Sequence, residues 1–364
     1  MSRTSQRRRT LAALGVTFAL VSVLGLTGAA TRTATAPPVF TDGHGLTVVQ
    51  QPSWLSGSER SFEFAVRTDE VAKYSAMAHQ VPGEHVIVVT LPEGYDTSGD
   101  TRYPVQYHLH GHPDRPDNGL NQQMFEESTA GGVPLISVAP NGSGRGWYTN
   151  WVSPPAELGP QNWENFHLGQ VIPFVDANLR TIAARDGRAI SGHSMGGFGA
   201  FHYAESRPEL FGYVGGFSGG LDLLNQAQRG AVLGSTQLSG SGTPTVPPDA
   251  IFGSPIWPLD TVWNEKSPAQ HVASLHGMGV AMYTGNGGNL LDNPVQAIAE
   301  SVVRDTNLVT RDHLLAAGIP HTFIDYGDGS TWAEGCNGKH AQPACLKADM
   351  NHFVGLLMAG LSHP

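Results

Sequence analysis

The sequence predicts an α/β fold in which a mostly parallel sheet is covered by helices on both faces. Three observations carry that prediction. Short β-branched and apolar runs recur along the chain, segments with apolar residues at helical spacing fall between them, and one such run passes through a glycine-flanked serine straight into a small-residue helix. Taken in order, a Pro-rich linker (35–39) and an irregular N-terminal stretch precede Val86-Ile87-Val88-Val89, a continuous β-branched run that reads as a buried strand. Tyr103 to Leu109 and Val133 to Val138 supply two more strands. Within Trp163 to Leu179, the residues Phe166, Val171, Phe174, Val175 and Leu179 share one helical face. Arg188 to Ser191 reads as a short strand and Gly197 to Ala204 as the helix after it. Further strands are expected at Phe211 to Phe217, Val280 to Tyr283 and Thr322 to Tyr326, with helices at Val295 to Ala317 and Cys345 to Leu361. The Gly-, Ser-, Thr- and Pro-rich stretch Asp222 to Asp260 is expected as a long excursion over the site, a lid or a substrate wall. In such a sheet the functional groups belong at the C-terminal strand ends.

Residues 1–36 read as an export segment. Arg3, Arg7, Arg8 and Arg9 precede the apolar run Leu11 to Leu26, which Gly28, Ala29 and Ala30 follow, and the run is short for a membrane span. Arg8-Arg9 ahead of Leu11 also fits the twin-arginine route. The expected organisation is therefore a signal peptide (1–36), a linker with N-terminal strands (37–83) and one catalytic domain (84–364), secreted or held at the cell envelope with no stable span in the mature protein. Loss of the arginines at 3, 7, 8, 9 and 32 takes the formal charge from -10 to about -15, which does not suit nucleic acid as a partner. In an oxidising compartment the two cysteines, Cys336 and Cys345, are expected to form a disulfide.

Chemistry enters at Gly192-His193-Ser194-Met195-Gly196. Glycine supplies 45 of the 364 residues, so Gly-x-Ser-x-Gly is expected by chance about half a time. A second copy does occur, Gly216-Phe217-Ser218-Gly219-Gly220. Context separates the two: only the first has a strand before it and a helix after it, the setting of a nucleophile elbow, whereas the second closes an apolar run and reads as a strand end. Ser194 is thus the candidate nucleophile. A serine needs an imidazole to take its proton and a carboxylate to orient that imidazole, in the chain order serine, acid, histidine. Among the late histidines, His321 stands at the start of a strand, His352 on a helix and His363 in the tail, whereas His340 lies in a strand-to-helix loop between the two cysteines and is the candidate base. Asp292, Glu300 and Asp305 all follow the preceding strand, and the residues alone leave the acid open among them.

The chain resembles the antigen 85 mycolyltransferases and the wider group of secreted esterases of the α/β-hydrolase superfamily, over roughly residues 84–360. The resemblance rests on Tyr103-Pro104-Val105 through Leu109-His110-Gly111-His112, on Trp147-Tyr148-Thr149-Asn150-Trp151 with Ser153-Pro154, on the elbow, on Ala299-Glu300-Ser301-Val302-Val303-Arg304 leading to Asn307-Leu308, and on Gly338-Lys339-His340 with Asp349 downstream. It implies the α/β-hydrolase fold, Glu300 as the acid, an oxyanion hole from the backbone of Met195 and His112, and substrate contacts from His110 and Trp151. It also implies no cofactor, and an ester of a small molecule, lipid or glycan as substrate, its acyl group passing to water or to a sugar hydroxyl.

Other readings follow from the same residues. His108, His110 and His112 alternate ahead of Asp114 and could be taken for metal ligands, but no convincing second ligand cluster accompanies them. A purely binding role is the third reading, since some antigen 85 relatives lack the catalytic residues. At the acceptor-site positions of the antigen 85 enzymes, this chain has His110, Pro113 and Gln342, so sugar binding in their manner is not implied.

Overall fold

A computed structural model describes residues 36–74, 80–95, 99–237 and 246–364; the expected export segment, up to residue 35, lies outside the described residues. Among these, nine strands form a single sheet. They are β1 (Thr47–Trp54), β2 (Ser61–Arg67), β3 (His85–Thr90), β4 (Val105–Leu109), β5 (Ile136–Pro140), β6 (Arg188–His193), β7 (Tyr213–Phe217), β8 (Gly279–Thr284) and β9 (Thr322–Asp325), in the spatial order β1-β2-β3-β5-β4-β6-β7-β8-β9. From β5 to β9 every pairing is parallel, and β1, β2 and β3 add an antiparallel edge. The sheet thus begins at Thr47, and Phe40 before it already packs edge-on against Phe62, Phe64 and Phe174.

Proline explains where strands start. The strand expected from Tyr103 begins at Val105, after Pro104, and the one expected from Val133 begins at Ile136, after Pro134; a proline has no N–H to give the ladder. The segment Trp163 to Leu179 is helical but not one regular helix: a π-helical stretch, Asn165–Val171, precedes α2 (Ile172–Asn178). Pro173 lacks the N–H that an unbroken α ladder needs at that point.

Alternation along the strands splits the apolar residues between two layers. Ile87 and Val89 face one core with Phe166, Phe174, Phe198 and Phe201, contributed by the π-helical stretch, α2 and α3 (Met195–Ser206). Val88, Ala139, Ala189 and Phe217 face the other, against α1 (Leu120–Ser128) and α7 (Pro343–Gly360) with Phe125, Met350, Phe353 and Leu357. Each of these fully buried large side chains contributes about 1.5–3 kcal/mol. Helix α6 (Pro294–Ala316) starts where Asn293 accepts the Gln296 N–H at 3.2 Å and Pro294 occupies the first turn. The described part of the excursion contains a helix the sequence reading did not expect, α4 (Gln226–Gln237), and a short α5 (Thr261–Glu265) follows it. The excursion is tied to the 142–152 loop through Trp147 Nε1 donating to Ser235 Oγ at 2.9 Å and Val152 N donating to Ile251 O at 3.2 Å.

Candidate active site

Strand β6 runs into Ser194, and α3 leaves it at Met195. Between them Ser194 takes φ 55° and ψ -117°, a conformation disfavoured for a residue with a side chain, which the surrounding structure must impose. Its amide donates to Phe217 O on the neighbouring strand at 3.0 Å, and its carbonyl accepts from Phe198 at 3.1 Å. Close approach of strand and helix depends on Gly196, where a side chain would run into the carbonyl oxygens of Leu109 and His110.

The three residues of the expected relay come together. Ser194 Oγ donates to His340 Nε2 at 2.8 Å, and His340 Nδ1 donates to Glu300 Oε2 at 2.8 Å. They arrive from three separate elements: the elbow, α6, and the loop after β9 that the Cys336–Cys345 disulfide closes. That loop is held from inside by His340 N donating to Gln296 O at 3.2 Å and Gly287 N donating to Gly338 O at 2.8 Å. Glu300 has no exposed surface, yet its charge is fully met, because Oε1 accepts from Gly285 N at 2.7 Å, Ser218 Oγ at 2.8 Å and Thr284 Oγ1 at 3.0 Å.

The competing residues stand elsewhere. Asp292 is two-thirds exposed with Lys339 Nζ 3.6 Å away, and Asp305 lies on the exposed side of α6. His352 Nδ1 is paired with the Tyr283 hydroxyl at 2.9 Å, His321 with the carbonyl of Ile319 at 2.8 Å, and His363 is exposed in the tail. His193 packs its ring 5.2 Å from that of His340. Burial, and then the neighbouring His340, hold the His193 imidazole far below the ordinary histidine range, so a neutral ring lies against His340.

The Met195 amide is the first of α3 and has no acceptor within the helix. The 110–112 loop passes beside Ser194: a Cβ on Gly111 would lie 3.2 Å from Ser194 Cβ. His112 anchors this loop through a hydrogen bond from Nδ1 to Gly144 O, and Tyr148 braces it by donating to His110 O at 2.9 Å.

The two residues expected as substrate contacts, His110 and Trp151, are both buried with their ring nitrogens paired to backbone. His110 is 2% exposed; its Nε2 accepts the Gly142 N–H at 2.9 Å and its Nδ1 bonds Gly111 O at 3.0 Å, so both ring nitrogens are spent on backbone. Trp151 is 7% exposed, and its indole N–H donates to Gly146 O at 3.0 Å. Both side chains hold the loops around Ser194. The alternation of His108, His110 and His112 is structural in the same way, with His108 Nδ1 paired to Ser191 Oγ at 3.0 Å. Among the described residues, no group of three or more His, Cys, Asp or Glu side chains is arranged to hold a metal ion.

The family model described as "Putative esterase" matches residues 78–340. The chain belongs to this esterase family. Esterase Rv1288 of Mycobacterium tuberculosis is 35% identical over 280 residues, 76% of this chain and 56% of that protein, so the chain spans little more than half the length of this relative. The diacylglycerol acyltransferase/mycolyltransferase Ag85A of Mycobacterium leprae is 26% identical over 298 residues, covering 76% of this chain and 84% of that one. Among solved structures, an S-formylglutathione hydrolase from Agrobacterium tumefaciens superposes with a TM-score of 0.61 at 14% identity, covering 87% of this esterase and all of that chain. The MPT51 (FbpC1) structure of Mycobacterium tuberculosis gives 0.57 at 19% identity, over 80% and 99% of the two chains. The chain therefore has the α/β-hydrolase fold and stands among antigen 85-like relatives. No helix of the described residues is long and apolar enough to cross a membrane.

Proposed function

We propose that this esterase is an exported serine-dependent acyl-ester enzyme that forms an acyl-enzyme on Ser194 and passes the acyl group to water. The observation that carries the reading is the continuous relay Ser194 Oγ, His340 and Glu300, with both links at 2.8 Å. Ser194 Oγ attacks the ester carbonyl while its proton moves to His340 Nε2, and the resulting imidazolium is held by Glu300 Oε2. The tetrahedral oxyanion is received by the amides of Met195 and His112. Collapse expels the alcohol, protonated by His340; water then attacks the acyl-enzyme, giving a proton to the same nitrogen, and the acid leaves with Ser194 restored. Each oxyanion donor contributes on the order of 3 kcal/mol to the transition state.

The substrate class is an ester of a small molecule, lipid or glycan, met outside the cytoplasm or at the cell envelope. Hydrolysis is preferred over transfer because the groups at the antigen 85 acceptor positions are already engaged: the His110 ring holds backbone, and Gln342 Nε2 donates to Gln296 Oε1 at 2.8 Å. A mycolyl-type transfer to trehalose or a cell-wall glycan is the second reading, favoured by the likeness to Ag85A. Product analysis from a p-nitrophenyl acyl ester, with and without trehalose, separates the two: free acid alone is expected, and an acyl-sugar product overturns the hydrolytic preference. A fluorophosphonate is expected to label native protein and not Ser194→Ala. Absence of label on the native protein would favour a binding role.

A further inference from the structure

The second Gly-x-Ser-x-Gly segment is not a second nucleophile, and its serine faces the opposite end of the same relay. Strands β6 and β7 run parallel with Gly192 beside Gly216 and His193 beside Phe217, so the two motifs lie in register and Ser194 and Ser218 leave adjacent strand ends at the same level. Both take a left-handed backbone, φ 55° at Ser194 and φ 47° at Ser218. There the likeness ends. Ser194 Oγ bonds the histidine, whereas Ser218 is buried and its Oγ donates to Glu300 Oε1 at 2.8 Å.

We propose that Ser218 is a positioning residue for the acid of the relay. This rests on the reading of Ser194, Glu300 and His340 as nucleophile, acid and base. The carboxylate of Glu300 reaches the site from mid-helix on a flexible side chain, and only its Oε2 meets His340. Its orientation is set by what holds Oε1. Two of those donors, Thr284 Oγ1 and Gly285 N, come from adjacent residues at one strand end; Ser218 comes from the next strand and supplies the second direction that stops the carboxylate pivoting about its terminal bond. The Thr284 hydroxyl has one proton and two acceptors within reach, Glu300 Oε1 at 3.0 Å and Gly285 O at 3.2 Å, so it is a divided donor. Ser218 is itself pinned, its amide donating to Tyr283 O at 2.8 Å, which sets the left-handed turn that aims the hydroxyl at α6. The motif thus serves the site twice: in one strand it exposes a nucleophile, and in the neighbouring strand the same turn points a hydroxyl inward at the acid.

The test compares wild type, Ser194→Ala, Ser218→Ala, Ser218→Cys and Thr284→Val on p-nitrophenyl acetate, with the rate and end-point of fluorophosphonate labelling measured on each. Rates are normalised to the labelled fraction, so partial misfolding does not enter. Ser218→Ala is expected to lower kcat and the labelling rate together by about ten- to a hundredfold at unchanged KM, the loss of one hydrogen bond to a charged group. Ser218→Cys, which keeps a weak donor in nearly the same shape, is expected in between, and Thr284→Val is expected to cost less than Ser218→Ala. A Ser218→Ala protein with wild-type kcat and labelling rate overturns the inference, as does equal loss in the alanine and cysteine variants. If Ser218→Ala does not fold, wild-type rates in Ser218→Cys overturn it instead. Full activity in Ser194→Ala would sink the underlying reading, a result distinguishable from either.

Discussion

Glu300 meets His340 from inside a helix, Oε2 to Nδ1 at 2.8 Å, with no surface of its own in contact with solvent. The carboxylate keeps the proton of His340 on Nδ1 and so leaves Nε2 free to accept from Ser194. A Glu300→Gln variant cannot do both jobs. If its amide nitrogen faces His340, the ring is forced into the wrong tautomer; if its oxygen does, the NH₂ points at Ser218, Thr284 and Gly285, which are donors themselves. We expect kcat to fall on the order of 10³ to 10⁴-fold, measured per active site labelled by fluorophosphonate. A loss smaller than tenfold would remove Glu300 from the relay.

The elbow tolerates no side chain at Gly196, because a Cβ there meets the backbone oxygens of Leu109 and His110. These atoms belong to the strand and loop that lead into His112, one of the two proposed oxyanion donors. Gly196→Ala is therefore expected to displace the 110–112 loop and cost at least about 2 kcal/mol of stability. Chemical denaturation and labelling of the same samples check it, and a variant with native midpoint and native labelling rate would contradict the packing argument.

His340 lies within the loop closed by Cys336 and Cys345, nine residues apart in sequence. On the chain-entropy account, opening so small a loop costs about 2 to 3 kcal/mol. The rest of the sheet does not depend on it, so the Cys336→Ala/Cys345→Ala protein should fold and lose more in kcat than in folded fraction. Unchanged kcat after the bond has been verified as absent would break the link between this loop and the placement of the base.

Acid lability follows from buried neutral histidines. Burial lowers His85 to about 4, His108 to about 3 and His167 to about 3, and each ring is paired in its neutral form, with Val71 O, Ser191 Oγ and Tyr203 Oη respectively. Their folded values lie below the unfolded one near 6.5, so the unfolded chain binds protons first as pH falls. Stability from these groups is present above the unfolded value near 6.5 and declines as pH falls below it, toward about 4 for His85 and about 3 for His108 and His167, with a limiting slope of about 1.4 kcal/mol per pH unit for each histidine. Guanidinium unfolding at pH 7.5, 6 and 5 reads the slope directly; a flat profile over that range would refute it.

Much of this molecule is local. Strand β3 is legible because four consecutive β-branched residues suit a strand buried on both faces, and the helix expected from Val295 to Ala317 is found within a residue of those bounds as α6. The elbow is legible for the same reason: glycine spacing, preceding strand and following helix all lie within about twenty residues of Ser194. What was not legible depends on residues distant in sequence. His110 and Trp151 look like pocket residues because they flank the oxyanion loop, yet their ring nitrogens are claimed by Gly142, Gly111 and Gly146, partners that only the folded loops bring near.

By itself the sequence determined the fold class and singled out Ser194 as the candidate nucleophile of an expected relay, because short-range periodicity and turn chemistry encode both. Which of Glu300, Asp292 and Asp305 lies against His340, and where the Ser218 hydroxyl points, were decided only by tertiary structure. Three carboxylates on one segment are equivalent until a helix turns one of them inward, and a serine 82 residues from Glu300 becomes its hydrogen-bond donor only when β7 pairs with β8 and α6 packs back over their ends.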